Sequence, residues 1–209
     1  MTKTALLAAA AAFAISAGSA SAQGPVLSSK GYDVHATRLT IPNAGLKTLY
    51  SQNDHDGGTG FISQMFGSSY PSDQGADDFV VPSGSNWKIS EVDVTGVYFN
   101  GVGPATSENV YFYRDRNGVP GKPVKSIMYV HGADNGGSFA ITIPTVGLKA
   151  GHYWVSVQAN LAFDAGGEWG WEDRSVQNNN PAVWRTRGSG WKPLGSDDPD
   201  FMFALKGRK

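Results

Sequence analysis

The chain has 209 residues, and its 17 Lys and Arg against 18 Asp and Glu give a formal net charge of −1. This balance offers no positive field to a phosphate backbone, so nucleic acid is not an expected partner. There is no Cys, which excludes a disulfide scaffold and a lipid-modified cysteine.

The first 22 residues have the features of a secretory signal peptide. A short basic start, MTK, precedes the apolar stretch TALLAAAAAFAIS, and Ala20-Ser21-Ala22 supplies a small-x-small cleavage pattern. We therefore expect cleavage between Ala22 and Gln23. The apolar stretch is shorter than the about 20 residues that a spanning helix needs, and no later stretch reaches that length. The sequence thus predicts no membrane span and a periplasmic or secreted protein.

Beyond residue 22 the sequence predicts an all-β fold, a two-sheet antiparallel β-sandwich or jelly roll. Short segments of alternating hydrophobicity are separated by Gly- and Pro-rich turns, and no stretch has the period of a helix. Residues 23–45 are expected to form an extended arm or an edge strand, and residues 46–209 a single sandwich domain. The predicted strands cover residues 78–81, 87–100, 109–114, 124–130, 139–143, 152–159, 182–186 and 201–205.

In two of these segments the apolar pattern indicates the direction in which individual side chains point. In 87–100 the apolar positions shift by one residue after Gly96, as a β-bulge would cause. In YWVSVQ (153–158) Tyr153, Val155 and Val157 alternate with Trp154, Ser156 and Gln158, the period-2 pattern of a half-buried antiparallel strand.

Three stretches resemble a β-sandwich, jelly-roll-like module that recurs in bacterial secreted proteins. GADDFVVPSGSNWKISEVDVTG resembles its opening, ENVYFYRDRNGVPGKPV its middle hairpin, and LKAGHYWVSVQANLAF with DFMFALKG its last strands. The resemblance covers most of residues 60–207. It implies a sandwich fold and export, often as an appendage of enzymes or surface proteins, but the module's function is uncharacterised and no catalytic residue is implied. Since the chain ends at Lys209, we expect the module to be the whole protein.

Catalytic motifs are sparse in this sequence. It contains no G-x-S-x-G and no H-E-x-x-H, and its four histidines are isolated. Glu168 and Glu172 would lie on one face of a strand with α-carbons about 13 Å apart. Glycosidase carboxyl pairs are separated by roughly 5–9.5 Å. We predict no catalytic residue, and a polysaccharide-active hydrolase or lyase remains an alternative.

Residues 169–191, WGWEDRSVQNNNPAVWRTRGSGW, hold four of the six tryptophans. Aromatic rings can stack on sugar rings while amides, carboxylates and arginines bind hydroxyls; alternatively, the tryptophans fill the core. We expect Trp191, in a glycine-flanked turn, to be the most exposed, and Arg185 and Arg187 to stack on neighbouring tryptophans. The candidate ligand-binding residues are Trp169, Trp171, Glu172, Asp173, Asn178, Asn180, Trp184, Arg185 and Trp191.

Asp73, Asp77 and Asp78 form the candidate metal site, because carboxylates on the loops of an exported sandwich can bind Ca²⁺. The alternative is that these residues form turns and bind their own backbone. The sequence as a whole favours a secreted, non-catalytic binding or surface-associated module with a glycan or another cell-surface component as its partner. A structural extracellular-matrix protein without a small ligand is the other alternative.

Overall fold

The computed structural model describes residues 26–28, 45–67 and 70–209. The predicted signal peptide and most of the predicted arm lie outside these residues. The described chain is almost entirely β-structure, with one short helix, α1 (Phe163–Gly166), which confirms the predicted all-β class. Within the described residues, no helix is long and apolar enough to cross a membrane.

The strands are numbered here in chain order. They are β1 (Val26–Ser28), β2 (Lys47–Ser51), β3 (Asp56–Ile62), β4 (Gln64–Met65), β5 (Asp73–Val94), β6 (Gly96–Phe99), β7 (Ser107–Asp115), β8 (Pro120–Val130), β9 (Ala133–Asn135), β10 (Ser138–Asn160), β11 (Glu168–Arg174), β12 (Val183–Thr186), β13 (Lys192–Pro193), β14 (Asp200–Phe201) and β15 (Phe203–Arg208).

Two sheets form the domain, and all of their strand pairs are antiparallel except β4 with β10. The larger sheet has the order β13-β12-β5-β10-β7-β8, and β15 pairs with both β5 and β2. The smaller sheet has the order β1-β3-β11-β14, with β6 also on β11. The predicted strands 78–81 and 87–100 are joined in the structure, since 78–81 and the first part of 87–100 belong to the single strand β5. In the same way, the predicted strands 139–143 and 152–159 belong to the single strand β10. The pairing of β5 with β10 has two register shifts, between Thr142 and Val146 and between Lys149 and Gly151. These shifts explain why the alternating sequence pattern is interrupted between the predicted strands.

The chain crosses between the sheets at two neighbouring points. β5 ends in the larger sheet and β6 begins in the smaller one, with Thr95 between them; Met202 likewise separates β14 from β15. The two crossings are joined, because the Thr95 amide donates to the Met202 carbonyl over 3.2 Å. The one-residue shift after Gly96 is thus a change of sheet rather than a bulge within one strand. Glycine is required at position 96, since a Cβ there would lie 2.6 Å from Nε1 of Trp169.

The core lies between the sheets and is rich in aromatic rings. Trp171 stacks on Phe201 with centroids 4.6 Å apart, and Trp169 stacks on Phe139 at 5.0 Å. Their indole N–H groups donate to backbone carbonyls over 2.8 and 2.7 Å, so neither tryptophan has an unsatisfied donor. Each ring is completely buried.

A second, smaller cluster covers the opposite face of the larger sheet. The position of this cluster is explained by the alternation of side chains along the strands. Tyr153 and Val155 pack into the core, while Trp154 between them points the other way and belongs to the second cluster. Residues of the segment after residue 180 pack over this face of the larger sheet and complete the cluster. The buried members are Ala76, Tyr113, Trp154 and Val183, with Tyr111, Val119 and Trp191 packed against them.

Candidate functional site

A groove of about 510 Å³ lies beside this second cluster. We call it the outer groove and define it by the six side chains that give it its chemistry. Its remaining lining residues are Met65 and Gly188. The six are Ser72, Gln74, Tyr111, Gln158, Arg185 and Arg187.

The strand register brings these residues together from distant parts of the sequence. Tyr111 lies between the core residues Val110 and Phe112, so its side chain points away from the core. Gln158 follows the core residue Val157 for the same reason. Arg185 on β12 pairs directly with Gln74 on β5.

A row of side-chain hydrogen bonds crosses four strands at the base of the outer groove. Nε and Nη2 of Arg185 donate to Oε1 of Gln74 over 3.1 and 2.7 Å. Nε2 of Gln74 in turn donates to the Ser156 hydroxyl over 2.9 Å and to the Tyr113 hydroxyl over 3.0 Å. Because both ends of the Gln74 amide are bound, its orientation and that of Arg185 are fixed.

Trp191 holds Arg185 from the other side. The guanidinium carbon lies 4.1 Å from the centroid of the indole ring, which is the expected cation–π contact. The indole is half-buried, and it meets the ring of Tyr113 edge-on at 6.1 Å. Trp191 therefore joins the second cluster to the wall of the outer groove.

Several polar groups of the outer groove have no partner among residues 45–67 and 70–209. Within the described residues, no hydrogen bond engages the hydroxyls of Ser72 and Tyr111, Oε1 of Gln158 or the guanidinium of Arg187. Gln158 is nevertheless fixed, since its Nε2 donates to the Asp73 carbonyl over 2.7 Å. Burial raises the pKa of Tyr111 to about 12, so its hydroxyl keeps its proton at neutral pH. The groove thus presents positioned donors and acceptors to a polar ligand.

The other predicted tryptophans are structural. Trp169 and Trp171 are core residues, and a ligand at the surface has no access to either ring. Trp184 is half-buried, packs against the core, and its Nε1 donates to the Ile62 carbonyl over 2.7 Å. Of the nine candidate ligand-binding residues, Arg185 lines the outer groove and Trp191 adjoins it.

The loop before β12, which carries the candidate residues Asn178 and Asn180, donates hydrogen bonds to buried carboxylates of the protein itself. The Asn178 amide donates to the carboxylate of Asp200. The backbone amide and Nδ2 of Asn180 donate to Oδ2 of Asp78 over 3.0 and 2.8 Å. These contacts attach the loop to the end of the sandwich, and neither asparagine lines the outer groove.

Of the two predicted acids of β11, Asp173 is engaged by the fold, whereas no hydrogen bond within the described residues engages the Glu172 side chain. Oδ1 of Asp173 accepts the Thr59 amide over 2.7 Å, and the side chain is completely buried. Burial, with the neighbouring Asp198 carboxylate, raises the pKa of Asp173 to about 7. Burial also raises the pKa of Glu172 to about 7, with a contribution from Asp56.

The three candidate metal ligands have separate environments. Oδ2 of Asp77 accepts from Nε2 of Gln52 and from the Phe201 amide, each over 2.7 Å. Oδ2 of Asp78 lies 2.6 Å from Nε2 of His152. Within the described residues, no group of three acidic or histidine side chains is placed to hold a metal ion. Asp77 and Asp78 are adjacent residues of β5 and point to opposite faces of the strand. Calcium binding itself stays a prediction.

Asp73 lies in a second, smaller cavity of about 320 Å³, which we call the Asp73 cavity. Burial raises the pKa of Asp73 to about 6; the Glu168 carboxylate adds to this effect and a hydrogen bond with Thr186 opposes it. The cavity is otherwise mainly apolar. Its lining residues are Ile62, Phe66, Tyr70, Pro71, Asp73, Phe163, Glu168 and Thr186.

Sequence reasoning did not assign Ser72, Gln74, Tyr111 or Gln158 to a site. The alternation in 153–158, which puts Gln158 on the same strand face as Trp154 and Ser156, was the one available signal, and it did not tell which face is the core. Comparisons with protein-family models, with curated proteins and with solved structures each found no match. Function is therefore inferred from the chemistry of the outer groove.

Proposed function

We propose that this chain is a secreted, non-catalytic carbohydrate-binding module of the β-sandwich, jelly-roll-like type, exported by the signal peptide that ends at Ala22. The observation that carries this proposal is the set of unpartnered polar groups in the outer groove, above all the Tyr111 hydroxyl and Oε1 of Gln158. A sugar offers hydroxyls that both donate and accept hydrogen bonds, and this mixed lining suits them.

The size and rigidity of the outer groove support the same proposal. Its volume of about 510 Å³ falls within the about 300–1,000 Å³ that is usual for small-molecule sites. Its polar groups stand on strands and are tied to each other through Gln74, so little side-chain freedom is lost on binding. Tyr111 stacks on Tyr113 with centroids 6.1 Å apart, which gives the wall an aromatic surface beside its polar groups.

The test is calorimetric titration with a panel of soluble polysaccharides and their oligosaccharides. Tyr111→Phe removes only a hydroxyl that has no partner in the described chain, so we expect unchanged stability and an affinity weaker by about three- to tenfold. Tyr70→Phe is the matched control, because Tyr70 is exposed, makes no hydrogen bond within the described residues and does not line the outer groove. Equal loss in both variants, or no saccharide binding by the unmodified protein, would refute the proposal.

A polysaccharide-active hydrolase is the second candidate, and the Asp73 cavity is the observation that favours it. Two carboxyl groups, Asp73 and Glu168, line a cavity whose aromatic residues could hold a sugar ring. The raised pKa of Asp73 would suit a general acid. Release of reducing ends from a polysaccharide panel, abolished by Asp73→Asn, would favour this candidate. Sugar binding without turnover would favour the binding module.

A matrix-type structural protein would behave differently from both. It would show no saccharide binding and would self-associate, and Tyr111→Phe would have no effect on it. Sedimentation of the purified protein over a range of concentrations separates this alternative from a binding module.

A further inference from the structure

The charge of the outer groove identifies a narrower class of ligand. Two of its six defining side chains are arginines, and none of its lining residues is an Asp or a Glu. Within the described residues, neither Arg185 nor Arg187 has a carboxylate in ion-pairing contact. The groove therefore contains two positive charges that the surrounding protein does not neutralise.

Arg185 is prepared to receive an anion. The Gln74 amide occupies its Nε–H and one N–H of Nη2, and Trp191 covers one face of the guanidinium. Both N–H groups of Nη1 and the second N–H of Nη2 have no hydrogen-bond partner in the part of the chain that the structure describes. This outer edge matches the two oxygens of a carboxylate or the oxygens of a sulfate ester.

Arg187 provides a second positive charge on the same side of the chain. It lies two residues beyond Arg185, just past the end of β12, so the two α-carbons are about 7 Å apart. Thr186 between them points to the other side, into the Asp73 cavity. Arg187 is exposed and its guanidinium has no partner in the described chain.

We propose that the outer groove binds an acidic saccharide, one whose sugar rings carry carboxylate or sulfate groups, with Arg185 and Arg187 as the anion-binding residues. This inference rests on the proposed carbohydrate-binding function and narrows it. The hydroxyls of the sugar form hydrogen bonds with the Tyr111 hydroxyl and with Oε1 of Gln158. The anionic substituent binds the outer edge of the Arg185 guanidinium. The formal net charge of the chain is −1, so attraction of a polyanion to the whole protein is not an explanation for such binding.

The experiment compares matched charged and neutral ligands by calorimetric titration of the purified protein. Polygalacturonate is paired with fully methyl-esterified pectin, and dextran sulfate with dextran. We expect the charged member of at least one pair to bind about tenfold or more tightly than its neutral partner. The affinity should also fall as the salt concentration rises. The pair that shows the preference distinguishes a uronate from a sulfate ligand.

Variants locate the effect within the groove. Arg185→Gln and Arg187→Gln should each weaken binding of the charged ligand about tenfold. Arg208→Gln changes the net charge equally but lies on β15, away from the outer groove, and should leave binding unchanged. Within the described residues the Arg187 guanidinium makes no contact, and its backbone amide, which donates to the Ser72 carbonyl, is unaffected by the substitution. The Arg187→Gln variant should therefore fold normally even if Arg185→Gln does not.

Three outcomes would overturn the inference. If charged and neutral members of both pairs bind equally and Tyr111→Phe still weakens them, the groove binds saccharides without regard to charge, and the proposed function stands alone. If no saccharide binds at all, both proposals fail. If poly-L-glutamate binds as tightly as polygalacturonate, the site recognises carboxylates rather than acidic sugars.

Discussion

The guanidinium of Arg185 lies 4.1 Å above the indole of Trp191 while its inner edge is hydrogen-bonded to Gln74. Trp191 contributes to the outer groove through this contact, because it fixes the plane of the arginine without itself lining the groove. The contact connects the most promising tryptophan of the sequence to a site that the sequence did not reveal.

Trp191→Ala should weaken ligand binding more than it weakens the fold. Loss of the cation–π contact releases Arg185 and removes about 0.5–1 kcal/mol of interaction at a half-exposed position. We expect an affinity lower by about two- to fivefold, with a small change in the free energy of unfolding. Titration calorimetry and urea unfolding measure the two effects. Val102→Ala, which shortens an exposed apolar side chain that does not line the outer groove, is the control. Unchanged affinity would show that Trp191 does not contribute to ligand binding.

Trp171→Ala should have the opposite pattern. The ring is fully buried, stacks on Phe201 and donates to the Met202 carbonyl. Large-to-small substitution of such a residue costs about 3–5 kcal/mol. Urea unfolding should show this loss, and any protein that remains folded should bind its ligand normally. A variant that has near-native stability but does not bind the ligand would instead show that Trp171 is a ligand-binding residue.

The contrast between these tryptophans shows how far the sequence was informative. Strict alternation at 153–158 correctly divided the side chains into two sets on opposite faces, because that period follows directly from strand geometry, but it did not tell which face is the core. The outer groove depends on Gln74 meeting Arg185, two residues 111 positions apart in the chain. Such a contact is fixed by the order of strands in the sheet, and no local pattern encodes it. The position of the break at Gly96 was also predictable, but the change of sheet that follows it was not.

Asn180→Ala should destabilise the protein without affecting the outer groove. The side chain donates over 2.8 Å to Oδ2 of Asp78, a carboxylate that is completely buried. Removing a donor to a buried charged acceptor costs about 1–3 kcal/mol. Chemical unfolding measures the loss, and Asn86→Ala at an exposed position of β5 should be nearly neutral. Impaired ligand binding by a folded Asn180→Ala protein would contradict the structural role assigned to this loop.

Acidification from pH 8 to pH 5 should stabilise the fold. Burial raises the pKa of Asp173 and that of Asp200 to about 7, from the ordinary value of 3.8 for an aspartate. A raised pKa in the folded state means that the folded protein binds the proton more tightly, so this stabilisation is complete below the unfolded pKa and is lost as pH rises through 7. The melting temperature should therefore increase on acidification over this range.

Asp200→Asn should flatten this pH dependence, because the amide does not titrate, whereas Asp197→Asn at an exposed position should leave it unchanged. Differential scanning calorimetry between pH 5 and pH 8 records the trend for all three proteins. A melting temperature that falls steadily toward pH 5 in the unmodified protein would show that these carboxyls are ionised in the folded state throughout the range.

The six tryptophan indole N–H signals in a ¹H–¹⁵N correlation spectrum test the central claim most directly. Titration with an acidic oligosaccharide should shift the Trp191 signal, through the adjoining Arg185, and leave those of Trp169 and Trp171 in place. The Arg187→Gln variant should weaken the response of Trp191. A shift of the Trp169 or Trp171 signals with none at Trp191 would contradict the assignment of ligand binding to the outer groove.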